Sequence, residues 1–277
     1  MNSSALATAV AGSPVFGALN RIWRIFATAL SFSLFGIGGL ILGLLVFPLM
    51  ALLSPNPAVL RRRAQYTVHL SFRLFLEFMC RVGVMSYSID GLERLRKPGQ
   101  LIIANHPSLI DVVALIAFLP DSCCVVKGAL TRNPFTRGPV RAAGYVLNLD
   151  SVDFIDQCCE VLARGQSLVI FPEGTRSTPG VRPSLRRGTA NIALRSGCPL
   201  RPVIIHCEPS TLTKGLPWYA VPKSRFHVSL RVDPEITVRP YLEAHANTSR
   251  AARQLTSDLQ DYLWREGQGA RPAAKIN

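Results

Sequence analysis

The pattern of apolar and polar residues divides the chain into two parts. Residues 25–60 contain no charged side chain, and the core of that run, 25–53, exceeds the roughly 20 residues that a spanning helix needs. Beyond residue 83, short apolar runs alternate with longer stretches of helical periodicity. This pattern predicts a membrane-associated helical segment followed by an α/β domain, in which helices cover a mostly parallel sheet.

Seven strands and five helices are predicted in and before the α/β domain. The strands lie at residues 84–89, 101–104, 123–126, 146–149, 167–171, 200–205 and 226–232. The helices lie at residues 64–82, 110–119, 151–164, 188–196 and 247–266, with Ser151 as the N-cap of the third. The predicted divisions are a poorly ordered N-terminus (1–20), the membrane-associated segment with its linker helix (21–82), the α/β domain (83–266) and a disordered tail (267–277).

The apolar segment admits two geometries. Glycines and one proline interrupt it, so it could form one tilted spanning helix or a broken helix pair that enters one leaflet and returns. Arginines flank both ends, which mildly favours the second geometry with both ends on the cytoplasmic side. We therefore expect the protein at the cytoplasmic (inner) membrane, with its α/β domain on the cytoplasmic side. The interrupting residues are Gly36, Gly38, Gly39, Gly43 and Pro48.

Charge indicates a polyanionic partner. Thirty-one Lys and Arg residues against 17 Asp and Glu give a formal net charge of +14. An anionic bilayer and nucleic acid would both suit this charge, but the apolar segment favours the bilayer, and no nucleic-acid-binding motif is recognisable. We therefore predict a membrane partner and no nucleic acid. The seven cysteines lack the C-x-x-C spacing of a zinc site and are expected to be buried, reduced thiols.

The first candidate for chemistry is the heptapeptide NHPSLID at residues 105–111. It follows a predicted strand and opens a predicted helix, so His106 and Asp111 could face each other. A carboxylate that holds one ring nitrogen of an imidazole leaves the other free as a general base. Alternatively, Ser108 and Asp111 form a capping box and His106 is an incidental turn residue.

The second candidate is the hexapeptide FPEGTR at residues 171–176, which also follows a predicted strand. A glycine that permits close backbone approach, a threonine and a guanidinium are suited to binding phosphate. Arg186 and Arg187 come ten residues later, directly before a predicted helix whose amino end could add to an anion site. A tight turn with a surface arginine is the simpler alternative for the hexapeptide alone.

Together these motifs resemble the lysophospholipid acyltransferase family. Residues 105–111 match the first sequence block of that family, residues 171–176 its third, and residues 199–205 resemble its fourth. The resemblance covers roughly residues 80–235 and implies direct acyl transfer from acyl-CoA or acyl carrier protein to the hydroxyl of a lysophospholipid-type acceptor. It implies neither a covalent acyl-enzyme nor a metal or redox cofactor.

The resemblance also implies residue roles. His106 would be the general base, oriented by Asp111. The acceptor's phosphate would be bound by third-block residues, to which we add two nearby cations as candidates. This predicted phosphate site comprises Glu173, Gly174, Thr175, Arg176, Lys127 and Arg187.

One block departs from the family pattern. The second block usually ends in a basic residue that shares the phosphate, but residues 144–150 end in Asp150. Lys127, Arg137 or Arg141 could compensate for that acid. The departure leaves the acceptor open between a lysophospholipid, a lyso-aminolipid and another lipid carrier.

Two further alternatives stay open. The basic and aromatic loop at residues 211–225 suits a membrane interface, and equally suits a solvated loop with one packed tryptophan. A non-catalytic binder of anionic lipid or nucleic acid would also explain the net charge. That alternative requires neither motif.

Overall fold

A seven-stranded sheet forms the centre of the computed structural model, which describes residues 14–148, 153–245 and 247–268. The strands are β1 Met85–Asp90, β2 Leu101–Ala104, β3 Ser122–Lys127, β4 Val146–Asn148, β5 Ser167–Ile170, β6 Leu200–Glu208 and β7 Phe226–Val232. Their order across the sheet is β1-β7-β6-β2-β5-β3-β4. All neighbours are parallel except β6 and β7. The predicted mostly parallel sheet is therefore confirmed.

Nine α-helices lie within the described residues. They are α1 Pro14–Ile41, α2 Phe47–Leu52, α3 Pro57–Arg81, α4 Asp111–Ile116, α5 Pro134–Ala142, α6 Phe154–Ala163, α7 Gly188–Ser196, α8 Arg239–Ala244 and α9 Thr248–Gln268. A π-helical turn, Leu42–Val46, joins α1 to α2, and two 3₁₀ turns cover Leu92–Arg96 and Gly128–Thr131. We did not predict α5 or α8. In α5, Asn133 caps the first turn and Pro134 stands where a missing N–H costs nothing, so its proline-rich sequence is compatible with a short helix.

The two faces of the sheet bury separate cores. Along β2, Ile102 and Ala104 pack with residues of α3 and α4, whereas Leu101 and Ile103 pack with residues of α6, α7 and α9. All four residues of β2 are buried. A strand with apolar groups on both faces reads as a continuous apolar run, which is why this strand was readable from sequence.

The apolar segment forms one side of a helical hairpin. Helix α1 continues through the π-helical turn and α2, and the chain then reverses into α3. Trp23 Nε1 donates to Val82 O at 3.0 Å near one end, and Arg63 Nη1 donates to Leu53 O at 3.1 Å near the other. The chain does not reverse within residues 25–52, and the turn comes between α2 and α3. Helix α3 begins seven residues earlier than predicted, where Asn56 caps it through Val59 N.

The interrupting glycines serve helix packing. A Cβ on Gly39 would overlap Phe135 O of α5, and a Cβ on Gly138 of α5 would overlap Gly43 Cα. The two backbones therefore approach each other closely at Gly39, Gly43 and Gly138, which carry no side chain. Glycine here permits close contact and does not end the helix.

Three predictions at segment ends meet the limits of the described residues. Residues 14–20 are helical, although we expected residues 1–20 to be poorly ordered; leucine and alanine favour the helix there. The remainder of that prediction, residues 1–13, lies outside the described residues, as do Ser151 and residues 269–277 of the predicted tail. Helix α9 continues to Gln268, two residues past the predicted end.

The apolar segment meets the length and composition criteria for crossing a membrane. The most apolar 18 residues within Ala18–Leu52 have a mean hydropathy of 2.3, and only 6% of those residues are buried. Most of its large apolar side chains are thus exposed. A spanning helix and a segment lying in one leaflet both fit this observation.

Candidate active site

Asn105 fixes the point at which β2 ends. Its side-chain nitrogen donates to Ile205 O at 2.8 Å and its side-chain oxygen accepts from Ile205 N at 2.7 Å. The amide thus replaces one more step of the β2–β6 ladder and turns the backbone toward His106. The sequence analysis assigned no role to Asn105. Its position directly between a predicted strand and a histidine was the feature that could have indicated one.

The predicted His106–Asp111 pair is present. His106 Nδ1 lies 3.0 Å from Asp111 Oδ2, and Asp111 is completely buried at the start of α4. The carboxylate holds the Nδ1 side of the ring, which leaves Nε2 as the proton acceptor. The ring also packs on Phe171, with centroids 4.5 Å apart.

The capping alternative is half right. Asp111 Oδ2 accepts from Ser108 N at 2.6 Å, as in a capping box. The reciprocal contact is missing, because Ser108 Oγ donates to Thr211 O at 3.0 Å. One carboxylate oxygen therefore fixes both the turn and the imidazole.

Burial dominates the electrostatics of Asp111. It raises the pKa of the carboxyl, and hydrogen bonds from His106 and Ser108 oppose that rise. Asp111 Oδ1 has no hydrogen-bond partner within the described chain. An imidazolium formed opposite this carboxylate would be stabilised in a site from which water is excluded.

Glu173 contacts the backbone around His106. Its Oε1 accepts from His106 N at 3.1 Å and from Ser177 Oγ at 2.7 Å, while Ser177 N donates to His106 O at 2.7 Å. Glu173 is buried, and burial raises the pKa of its carboxyl. These contacts give Glu173 a positioning role for the His106 backbone, and its predicted phosphate contact stays a prediction.

Arg176 holds a neighbouring loop. Its Nη1 donates to Leu212 O at 2.7 Å and to Thr213 O at 3.0 Å. Gly174, which permits the turn before it, has a φ of +64°. The predicted phosphate contacts of Gly174, Thr175 and Arg176 stay predictions.

Comparison with known proteins identifies the domain that carries this site. Residues 86–206 match the family model described as acyltransferase. Residues 86–206 therefore carry an acyltransferase domain.

Relatives and a solved structure agree with this assignment. The chain is 29% identical to a 1-acyl-sn-glycerol-3-phosphate acyltransferase of Saccharomyces cerevisiae over 54% of this chain and 51% of that protein. It is 27% identical to one of Helicobacter pylori over 46% of this chain and 56% of that protein. In both cases the match spans about half of the relative's length.

The fold resembles the crystal structure of a 1-acyl-sn-glycerophosphate acyltransferase from Thermotoga maritima. The TM-score is 0.67 at 18% identity, covering 93% of this chain and 100% of that one. At this identity the likeness concerns the fold alone. It extends to the helical segment before the acyltransferase domain, since almost the whole chain is covered.

The remaining predicted cations lie on the same edge of the acyltransferase domain. Lys127 ends β3 and pairs in register with Asn148 of β4; Arg187 directly precedes α7. Both are exposed. Neither makes a recorded contact with His106 or Asp111, so their part in phosphate binding stays a prediction.

Asn148 is a candidate site residue that sequence reasoning missed. A cavity of about 220 Å³ lies beside the third block, with Asn148, Gly174, Arg186 and Thr189 among apolar side chains of α6 and α7. Arg186 N donates to Pro172 O at 3.1 Å, which brings its side chain over Gly174. Asp150, whose charge conflicted with phosphate binding, lies outside the described residues.

The loop after β6 packs against the candidate site, which we did not anticipate. Thr211, Leu212 and Thr213 are all buried, and Leu212 has a φ of +53°, unusual for a leucine. Leu109 N donates to Leu212 O at 3.1 Å. Only the part of the loop from Lys214 onward is exposed as predicted.

Proposed function

We propose that the protein transfers an acyl chain from a thioester donor, acyl-CoA or acyl carrier protein, to the hydroxyl of a lysophospholipid such as 1-acylglycerol-3-phosphate. The observation that carries this proposal is the His106–Asp111 pair at a strand end of an acyltransferase-family domain. The names of the relatives support the acceptor class.

The geometry supports a direct transfer. Nε2 of His106 takes the proton of the acceptor hydroxyl while its oxygen attacks the thioester carbonyl. The tetrahedral intermediate then breaks its C–S bond, and the imidazolium returns the proton to the departing thiolate. Asp111 holds Nδ1–H throughout and stabilises the transient positive charge. The products are a new ester and a free thiol, so protons and electrons balance without a further reactant.

Phosphate would be bound beside the base. Arg176 uses Nη1 for backbone carbonyls, and its other N–H groups could meet a phosphate. Arg186, Asn148 and Gly174 border the adjacent cavity. Lys127 and Arg187 add positive charge on the same edge.

The apolar helix would hold the enzyme where its lipid substrates lie. Many of its large side chains are exposed, among them Ile22, Phe26, Leu34 and Leu45. Burying such groups in lipid gains roughly 25 cal/mol per Å² of apolar surface. We propose a position at the cytoplasmic (inner) membrane with the catalytic domain on the cytoplasmic side, where arginines flank both ends of the segment.

A second acceptor class is favoured by the second block. Asp150 stands where a phosphate-sharing cation is expected, so a lyso-aminolipid or another hydroxylated lipid carrier is the alternative acceptor. The transfer chemistry at His106 would be unchanged.

The test is thioester turnover by the purified full chain in vesicles. Radiolabelled acyl-CoA and acyl carrier protein are each supplied with lysophosphatidate or a mixture of lyso-lipids, and free thiol and labelled product are measured. His106→Ala should lower turnover by about 100-fold or more. The matched control is His245→Ala, which changes a histidine following α8. Equal turnover in the two variants, or no thioester cleavage by the wild type with any acceptor, would refute the proposal.

A further inference from the structure

Arg24 joins the apolar helix to the loop at residues 211–225. It lies on α1, is 7% exposed, and its Nη2 donates to Lys223 O. Eight residues further along the same helix, Phe32 packs on Trp218 with ring centroids 5.7 Å apart. The outer part of this loop is therefore bound to α1 at two points.

The inner part of the same loop is bound to both catalytic blocks. Ser108 and Leu109 at the start of the first-block helix contact the carbonyls of Thr211 and Leu212. Arg176 of the third block binds the carbonyls of Leu212 and Thr213. Ser108 N also donates to the carboxylate that holds His106. The loop thus contacts Arg24 at its outer end and the first and third blocks at its inner end, and Arg24, Leu212 and Trp218 line one small cavity between them.

Few hydrogen bonds hold α1 against the loop at residues 211–225. Arg24 Nε and Thr28 Oγ1 are buried without a partner within the described residues. They line a cavity of about 10 Å³ together with Leu212 and Trp218, which has room for at most one water molecule. A buried guanidinium without a carboxylate partner is costly, so packing stability alone does not account for Arg24.

We propose that Arg24 is a positioning residue for the acyl transfer, acting through the loop at residues 211–225. By fixing Lys223 it holds the carbonyls of Thr211 and Leu212 in place, and these hold the turn between His106 and Asp111. This inference rests on the proposed function. If so, the position of the apolar helix on the α/β domain influences the geometry of the proposed active site, in addition to holding the protein at the membrane.

The first test compares Arg24→Ala with Arg21→Ala in vesicles. Arg21 is an exposed arginine on the same helix, so both variants lose the same charge. We expect Arg24→Ala to lower kcat by about 10-fold, with the KM values of donor and acceptor and the vesicle-bound fraction equal to those of Arg21→Ala. Arg24→Lys, which keeps a donor for the Lys223 carbonyl, should recover part of kcat. Equal kcat in Arg24→Ala and Arg21→Ala would overturn the inference.

The second test needs no substrate. The Leu109 amide donates to Leu212 O, so its hydrogen exchange reports whether the inner loop is in place. Arg24→Ala should speed this exchange severalfold relative to Arg21→Ala while amides of β2 exchange as in the wild type. Unchanged exchange at Leu109 would overturn the inference even if turnover fell. Because this readout is independent of turnover, failure of the proposed function and failure of the inference are distinguishable.

Discussion

The loops that follow β2 and β5 lie side by side and use their polar groups differently. The first loop carries His106, whose Nδ1 is hydrogen-bonded to Asp111, so that Nε2 is free to accept a proton. The second directs Glu173 and part of Arg176 inward, to the backbones of residues 106 and 212–213. A charged residue at a strand end can therefore position the backbone of a neighbouring loop, and it need not bind a substrate.

The largest expected effect comes from the carboxylate that holds the base. Asp111→Asn should lower kcat by about 100-fold or more, because an amide can neither fix the Nδ1–H tautomer nor stabilise the imidazolium. Thiol release in vesicles measures it. Asp156→Asn, which changes a half-exposed aspartate of α6 that pairs with Arg195, should retain wild-type kcat. An Asp111→Asn variant with wild-type kcat would show that the first loop does not depend on Asp111 to hold a base.

A smaller effect is expected from the carboxylate of the second loop. Glu173→Gln should lower kcat by about 10-fold, because it weakens the contact that places the His106 backbone. The KM of a phosphate-bearing acceptor should stay near the wild-type value, since Glu173 Oε1 is bound to His106 N and Ser177 Oγ. The control is Glu160→Gln, an exposed glutamate of α6. A change confined to the KM of the phosphate-bearing acceptor would show that Glu173 acts in phosphate binding instead.

The same variant should change the pH dependence of stability. Burial raises the pKa of Glu173 above its ordinary value of 4.5, so the folded state binds more protons than the unfolded chain above that pH. The wild type therefore loses unfolding free energy as pH rises from 4.5 through the raised pKa, and Glu173→Gln should lose less. Denaturant unfolding at several pH values measures the difference. A steeper loss in the variant would show that the carboxylate is stabilised in the fold.

The smallest effect is expected from the guanidinium of the second loop. Arg176→Lys removes the paired donation to Leu212 O and Thr213 O, a loss of about 1 kcal/mol or fivefold in kcat. This fall should appear with phosphate-bearing and phosphate-free lyso-lipids alike, because the loop is displaced in both cases. The KM should rise only for the phosphate-bearing acceptor. If kcat changes only with that acceptor, Arg176 acts solely on phosphate and the shared inward role is refuted.

The sequence was informative where contacts are local and periodic. Apolar runs such as residues 101–104 marked strands because both of their faces are buried. The five-residue spacing of His106 and Asp111 predicted their meeting, since a strand end and a helix start leave little freedom between them. The capping alternative proved to be part of the same arrangement.

Long-range contacts were not predictable in this way. The carbonyl of Leu212 meets Leu109 and Arg176 only because β6 lies beside β2, which no local pattern of residues 209–213 reveals. The partner of Glu173 was missed for the same reason. Glycines in the apolar helix were read as possible breaks, because their contact surface on α5 is about 100 residues away in sequence.

The close approach of α1 and α5 has a consequence for protein engineering. Because a side chain on Gly39 would overlap Phe135 O and one on Gly138 would overlap Gly43 Cα, rotating or sliding the apolar helix would bring side chains into this close contact. A helix transplanted from another protein would therefore need two small residues four positions apart, in the same register, to dock on α5. A chimera without them would keep its hydrophobicity and lose the fixed orientation of this helix on the α/β domain.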